Sequence, residues 1–395
     1  MATELTPLTV TVTNPTSGYT WNISALSRNL NYSTVEPGGC EQASFHIPVA
    51  FVDRTLITPP FLQMFYQLRI LDELGCVWIG RLEEIGLDID ENGGQWAITA
   101  YGYGVRANDQ VKDVVSITKD DNSIYTSAAG HTGWVYWAMQ NLMPAIQSYN
   151  ITATGYTFAG AATLNNLTAG GLIAYMRAFG TSGQQPVQFT VYPSNDGTIV
   201  GTVRPQPTAA DLRSRLQDFG KASFKASGRA YANRVQTSYQ SYAHTNIQNS
   251  TLQQLPFPNG VAFVKTLSAV AGEFSNATDV AQLSSTLLNW ATAIRLSAAG
   301  TYTTGGSTRF RDESSGQWNV TPRRVRAGQY MAISDMVTLS TGSTNLAFNN
   351  SFIIARTRWD EDSNTLTITP ENFESAAERA WAQVRGTLMG RFTLQ

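Results

Sequence analysis

The sequence predicts a mainly β protein: two antiparallel β-barrel-like domains, a small α+β domain inserted between them, and a long C-terminal helix. Three observations carry this prediction. Apolar and hydroxyl side chains alternate with period two through residues 7–112, and strand-like runs return after about Phe219. Helical spacing of apolar residues appears only after Asp113. Two similar acidic turns, each followed by an alternating strand, stand far apart in the chain.

The chain has 395 residues, long for one core, which argues for two to four domains. Only 14% of its residues are charged and its net charge is −2, so nothing points to a general nucleic-acid or membrane-surface binder. Abundant Thr, Ser, Asn and Gly with 11% aromatics suits a β-rich protein of an extracellularly robust or virion type. The two cysteines, Cys40 and Cys76, are too few for a disulfide framework. They read as small hydrophobes beside strands, with a single bridge as the alternative. The N-terminus lacks the basic start and apolar core of a signal peptide, and no apolar run approaches membrane-spanning length. Without a secretory signal the Asn-x-Ser/Thr triplets at Asn22, Asn31, Asn150 and Asn166 report composition. Cytoplasmic synthesis is expected.

The first domain, residues 1–112, opens with Leu8, Val10 and Val12 alternating with Thr9, Thr11 and Thr13. A turn at Pro37-Gly38-Gly39 precedes Ala43–Ile47, and Phe65–Ile70 leads into a long hairpin over Leu74–Gly104. Its turn is Asp90-Glu91-Asn92-Gly93-Gly94, where glycine supplies positive φ. Trp78 and Leu82 share one parity, whereas Ile85, Leu87 and Ile89 share the other with Val77 and Ile79. Arg81 and Glu83 interrupt that second set. A strand changes its buried face only through an irregularity, so a bulge is expected near Glu83–Ile85. Bent, bulged hairpins belong to barrels.

The inserted α+β domain spans 113–205. Trp134, Trp137, Ala138, Leu142 and Ile146 predict a helix over His131–Ile146, with Pro144 in its last turn. A strand is expected at Ile151–Phe158, then a helix from about Asn166 with Leu172, Ile173, Met176 and Phe179 on one face. Val187–Val191 and Thr198–Val203 form a hairpin across Ser194-Asn195-Asp196-Gly197. Pro205-Gln206-Pro207 reads as a linker.

The second barrel-like domain spans 206–370. Strands are expected at Ser223–Ala226 and Arg234–Tyr239, and an amphipathic helix at 278–299 carries Val280, Leu283, Leu287, Trp290, Ala291 and Ile294. A Gly/Thr/Ser loop at 300–308 precedes strands through Met331–Ile333 and a final hairpin, Ser351–Thr369. Residues 371–395 hold the C-terminal helix, with Phe373, Ala377, Trp381, Val384 and Leu388 at helical spacing. The echo lies between Asp90–Thr99 and Asp360–Thr369, both ending in Ile-Thr. It is either two instances of a common turn or the matching hairpins of duplicated barrels.

No catalytic, cofactor-binding or metal residues are assigned. Asp88-x-Asp90-x-Asn92-Gly93 matches half of a calcium loop, but Thr99 stands at the twelfth position where Glu is required. Gly102-x-Gly104-x-x-Ala107 follows a strand, yet Asn108-Asp109-Gln110 continues no apolar helix, so no dinucleotide site is expected. Glu83 and Glu84 are adjacent on a strand and would face opposite ways, which suits surface charges; the expected bulge could bring them together as a glycosidase pair would require. His46, His131 and His244 show no metal-pair spacing. Arg204, Arg213, Arg215, Lys221, Lys225, Arg229 and Arg234, and Arg323-Arg324-x-Arg326, read as solvated or subunit-contact faces, with DNA grip the minor alternative.

Several segments resemble tail-tip hub proteins of long-tailed bacteriophages. Gly38–Pro48 resembles their early barrel motif, and Trp78–Ile85 with Ala97–Tyr103 is similar to their long hairpin. Ala232-Asn233-Arg234-Val235 resembles the strand opening their second barrel, and Arg326–Asp335 and Ser351–Arg356 through Pro370 their closing strands. The resemblance is spread over most of the chain and lies more in the order of segments than in any one motif. It implies a structural hub of the tail tip or baseplate in the virion: a homotrimer whose paired barrels give pseudo-sixfold symmetry. Its implied partners are tail-tube or distal-ring proteins, the tape-measure protein and central spike or fibre proteins, with DNA only in transit. No enzyme activity is implied. The chain departs from many tail-associated proteins in ending soon after its last predicted helix, so no peptidase or fibre extension is expected. The rival readings are a carbohydrate-binding adhesin using exposed aromatics and a glycan- or peptide-degrading tail enzyme.

Overall fold

The computed structural model describes residues 6–52, 55–90, 93–107, 117–118, 133–153, 155–158, 162–164, 168–220, 233–241, 247–254, 266–274, 277–292, 301–335, 351–371 and 392–394. The fold is mainly β. The first region contains β1 (Thr9–Thr13), β2 (Thr20–Asn22), β3 (Arg28–Val35) and β4 (Gly38–Pro48). A small hairpin of β5 (Ala50–Val52) and β6 (Thr55–Ile57) follows, then β7 (Gln67–Asp72), β8 (Gly75–Asp90) and β9 (Gly93–Gly102). Alternation works as expected in β1, where Val10 and Val12 are buried while Thr9, Thr11 and Thr13 are half-buried. The strands run in the order β2-β1-β7-β8-β9-β4-β3, antiparallel throughout.

The middle region contains β10 (Ile117–Thr118), α1 (Trp134–Leu142), β11 (Ser148–Ile151), β12 (Ala162–Leu164), α2 (Ala169–Ala178), β13 (Val187–Pro193) and β14 (Ile199–Pro205). α1 is shorter than its periodicity suggests, because Pro144 disfavours helical backbone at Met143, which sits at φ −133°. Its buried face is Trp134, Val135, Ala138, Met139 and Leu142. α2 starts where Thr168 caps it, its hydroxyl accepting from the Gly171 N–H at 3.0 Å. The strand expected at Ile151–Phe158 is displaced: β11 pairs parallel with β14 from Ser148↔Val200 to Ile151↔Val203 and stops there. β13 and β14 form the expected hairpin, and β13 also joins β4 in parallel through Thr190↔Gly38 and Val191↔Gly39.

The last region contains β15 (Leu212–Arg215), β16 (Arg234–Ser241), β17 (Ile247–Gln254), β18 (Thr266–Phe274), α3 (Ala277–Thr292), β19 (Tyr302–Gly305), β20 (Phe310–Asp312) and β21 (Trp318–Val320). β22 (Tyr330–Ser334), β23 (Ser351–Asp360), β24 (Thr365–Pro370) and β25 (Phe392–Leu394) complete it. The loop expected at 300–308 is in part a strand, since β19 pairs with β24 from Tyr302↔Ile368 to Gly305↔Thr365. Its Thr/Gly sequence hides this, but Tyr302 and Thr304 are buried on one parity. The strand at Ser223–Ala226, the end of the helix at 293–299 and the C-terminal helix over Glu371–Leu388 fall outside the described residues, Glu371 excepted. Pro205-Gln206-Pro207 is packed rather than free. Gln206 is buried, its N–H donates to Pro186 O at 2.8 Å and its side chain donates to Glu371 at 3.0 Å.

Pairings join the described strands into one open 17-stranded sheet, a six-stranded sheet (β10-β12-β25-β18-β16-β17) and the β5–β6 hairpin. α3 packs on the six-stranded sheet and is tied to the end of α2. Gln282 donates to Phe179 O and Thr181 O, both at 2.8 Å, and Thr286 donates to Phe179 O at 2.8 Å. These bonds satisfy carbonyls that a helix C-terminus leaves without intrahelical partners. Among the described residues no helix is long and apolar enough to cross a membrane.

Candidate functional site

The long hairpin β8–β9 carries the feature that stands out. Its register slips between Leu82, opposite Ala100, and Glu84, opposite Thr99, so Glu83 is the extra residue of a bulge at the expected place. Before the bulge both faces of β8 are covered: Cys76, Val77, Trp78, Ile79 and Leu82 are all buried. After it Ile85 is half-buried, while Leu87 is 36% and Ile89 61% exposed. The bulge therefore separates a core strand from a projecting tip.

Glu83 and Glu84 do not converge. The Glu83 side chain, 12% exposed, bonds Arg81 at 2.5 Å and Arg106 at 2.7 Å. Glu84 is exposed and accepts from the Tyr101 hydroxyl at 3.2 Å. One carboxylate is matched by two guanidinium groups and the other sits in solvent, an arrangement for fixing a bulge.

A second hairpin repeats the first. β22-β23-β24-β19 has the order and antiparallel sense of β7-β8-β9-β4. Its first strand is also bulged: Thr369 lies opposite Arg356 and Pro370 opposite Ile354, leaving Ala355 extra. In the echoed sequences Thr99 and Thr369 correspond, and each faces the first residue after its bulge. Shared register, order and irregularity favour duplication over coincidence.

The two units are joined edge to edge. β3 pairs with the outer half of β23 from Val35↔Arg356 to Asn31↔Asp360. Buried Thr34 and Thr357 share a hydroxyl bond of 2.6 Å, and Arg356 grips Glu41 through two bonds of 2.7 and 2.6 Å. The acidic turn after β23 is structural: Glu361 accepts from Arg323 at 2.6 Å and from the Trp359 indole at 2.7 Å.

The remaining sequence candidates resolve into packing. Cβ atoms on Gly102 and Gly104 would stand 2.0 Å from Cys40 O and 1.6 Å from Gly38 O, so this pair lets backbones touch. Cys40 and Cys76 are free and buried, and burial pushes their thiols up to about 12 and about 11. His46 meets Asn29 at 3.3 Å, whereas His131 and His244 fall outside the described residues, as do Glu91 and Asn92 of the half calcium loop. Among the described residues no His, Cys, Asp and Glu side chains gather as metal ligands. Of the basic residues, Arg204 pairs with Asp211 at 3.0 Å, Arg213 with Glu313 at 3.0 Å, and Arg324 with Asp72, whereas Arg234 is half-buried on β16. Arg215 and Arg326 lie over the rings of Trp318 and Tyr192 at 4.6 and 4.8 Å. Lys221, Lys225 and Arg229 fall outside the described residues. A cleft of about 900 Å³ between Asn195, Arg213 and Arg326 is lined by these paired charges.

Sequence reasoning missed Phe65, which is 61% exposed and held at φ 68°. A left-handed backbone is unusual for a bulky residue, and no turn signal in the sequence marks it.

No protein-family model matches the chain, and no curated protein matches it. Solved structures do. The 43 kDa tail protein of prophage MuSo2 from Shewanella oneidensis is 11% identical, with a TM-score of 0.57 over 94% of this chain and 98% of that one. A tail protein from Neisseria meningitidis MC58 is 11% identical, with a TM-score of 0.56 over 96% and 99% of the two chains. Prophage tail protein gp18 from Listeria monocytogenes EGD-e is also 11% identical, with a TM-score of 0.56 over 97% and 100%. The chain thus shares its fold, nearly end to end, with phage tail proteins.

Proposed function

We propose that this chain is a structural hub of a bacteriophage tail tip or baseplate. The observation that carries the reading is the likeness of fold to tail proteins over almost the whole of both chains. The repeated bulged hairpin supports it, because a chain with two equivalent units is suited to building a ring of twice its copy number. Each repeat closes into a barrel within the assembly, residues 1–112 and 206–370, while 113–205 bears on a neighbouring tail protein and 371–395 forms the C-terminal segment. The assembly is a trimer in the virion. It closes the tail tube, connects distal-ring, tape-measure and spike or fibre proteins, and opens for DNA. Its work is mechanical rather than catalytic: Glu83 is occupied by Arg81 and Arg106, and Glu84 stands apart from it.

Mass photometry of the purified chain and cryo-electron microscopy of the particle test this. Three copies in a ring at the tail tip are expected. A strictly monomeric chain, or a position away from the tail, would overturn the reading.

A further inference from the structure

β8 and β23 hold equivalent places in the two repeats, but their outer edges differ. On β23 the first half pairs with β22, from Ser351↔Ala332 to Ile353↔Tyr330, and the second half with β3. On β8 the first half pairs with β7, from Gly75↔Asp72 to Arg81↔Gln67. Contact ends at Leu82, whose N–H donates to Tyr66 O at 2.9 Å and whose carbonyl accepts from Phe65 N–H at 2.7 Å. From Glu83 to Asp90, no described strand lies along that side.

An edge of eight residues presents a row of peptide groups ready to template another strand. Proteins blunt such edges with charge, proline, bulges or brevity; this segment, Glu-Glu-Ile-Gly-Leu-Asp-Ile-Asp, has a bulge and acids at its start but no lysine and no proline, and it runs on past the bulge with apolar residues. Leu87 and Ile89 are exposed beside it, and exposed Phe65 marks the point where pairing with described residues on that side stops. Phe65 keeps its left-handed backbone there, a local strain of the kind found at contact sites.

The repeat names the occupant. The same half of β23 is covered by an antiparallel strand of the opposite repeat, β3, within the chain. We infer that residues 83–90 of β8, with Phe65, Leu87 and Ile89, form the surface on which a second copy of this chain lays an antiparallel strand from its own second repeat. Such a contact joins unlike patches, so it propagates from copy to copy, and in the ring reading its rotation closes after a fixed number of copies. Glu84 and Asp88 make the edge acidic, so the covering strand brings neutral or basic side chains. The inference rests on the ring reading and deepens it by locating the contact.

The test uses the full chain and the variant Leu87→Lys/Ile89→Lys, whose sites are solvent-facing in the single chain, with circular dichroism and thermal melting to confirm an unchanged fold. Mass photometry over a dilution series should show a wild-type oligomer and a variant that needs a concentration higher by about tenfold or more to assemble. Hydrogen exchange at residues 83–90 should be slowed in the wild-type oligomer and fast in the variant. A wild-type oligomer with an equally assembled variant, or with unprotected amides at 83–90, overturns the edge and leaves the ring standing. A wild type that stays monomeric at every concentration overturns both.

Discussion

Gly104 shows how a residue's role depends on what lies opposite it. Spaced two from Gly102 and three from Ala107, it imitates a dinucleotide fingerprint, and nothing in that spacing says that Gly38 O fills the space beside it. Gly39 sits in the same crossing, where a Cβ would stand 2.1 Å from Val191 O. Gly104→Ala should therefore cost about 3 kcal/mol, since the Gly38 backbone against it cannot yield as a side chain would. Gly305→Ala, with nothing within 4 Å, should stay within about 0.5 kcal/mol. Urea denaturation of both variants measures the contrast. The cysteines make a second residue-scale case. Adjacency to strands was enough to read Cys40 and Cys76 as small hydrophobes, while full burial needed the fold. With the thiols held at about 12 and about 11, the thiolate is scarce near pH 8. Native protein should resist iodoacetamide for hours and take two labels in urea, counted by intact mass; rapid native labelling would show that Cys40 or Cys76 is accessible.

At the scale of elements, period-two parity alone makes the bulge legible in the sequence, because a face switch has few other causes. The partners of Glu83 were not legible, as Arg106 comes from beyond the second strand. Glu83→Ala would leave Arg81 and Arg106 without their anion in a partly buried site and should cost about 1–3 kcal/mol, whereas Glu84→Ala should change stability by less than about 0.5 kcal/mol. Equal effects in chemical denaturation would mean that the bulge is not held by this triad. The β13–β14 turn gives a pH signature. Ser194 and Thr198 donate to Asp196 and hold its carboxyl down at about 2. A carboxylate in the unfolded chain titrates near about 3.9. The lowered folded value means the stabilisation is complete above about pH 4 and drains away as pH falls through about 2. The stability gap between wild type and Asp196→Asn should accordingly narrow across that interval and stay level from pH 5 to 8. The elements that sequence reading misplaced share one cause. β11 and β19 are strands because of distant partners, β14 and β24, and their own residues carry weak local signals.

At the scale of the whole molecule, the echo of Asp90–Thr99 in Asp360–Thr369 made the duplication visible in sequence, but the joint between the repeats was not. It depends on β3 meeting β23 across more than three hundred residues, and on Arg323, whose role no local pattern announces. Its side chain is 2% exposed, bonds Glu361 at 2.6 Å and Thr6 O at 2.5 Å, and lies over the Trp359 ring at 5.4 Å. Its carbonyl accepts from the Tyr32 hydroxyl at 2.9 Å. One residue thus ties the approach to β1, the strand β3 and the turn after β23. Glu361 alone would be a half-buried charge without its cation, and removal of one partner of a buried pair costs far more than the pair contributes over apolar substitutes. Arg323→Met should therefore lose about 3 kcal/mol or more, while Arg356→Met, whose guanidinium is largely exposed on Glu41, should lose under about 1 kcal/mol. Because a continuous sheet crosses the joint, wild-type unfolding followed by tryptophan fluorescence and by far-ultraviolet circular dichroism should give coincident transitions. Separate transitions in Arg323→Met alone would mean that this residue couples the repeats. Separate transitions already in wild type would mean that β3 and β23 pair without making the two units fold as one.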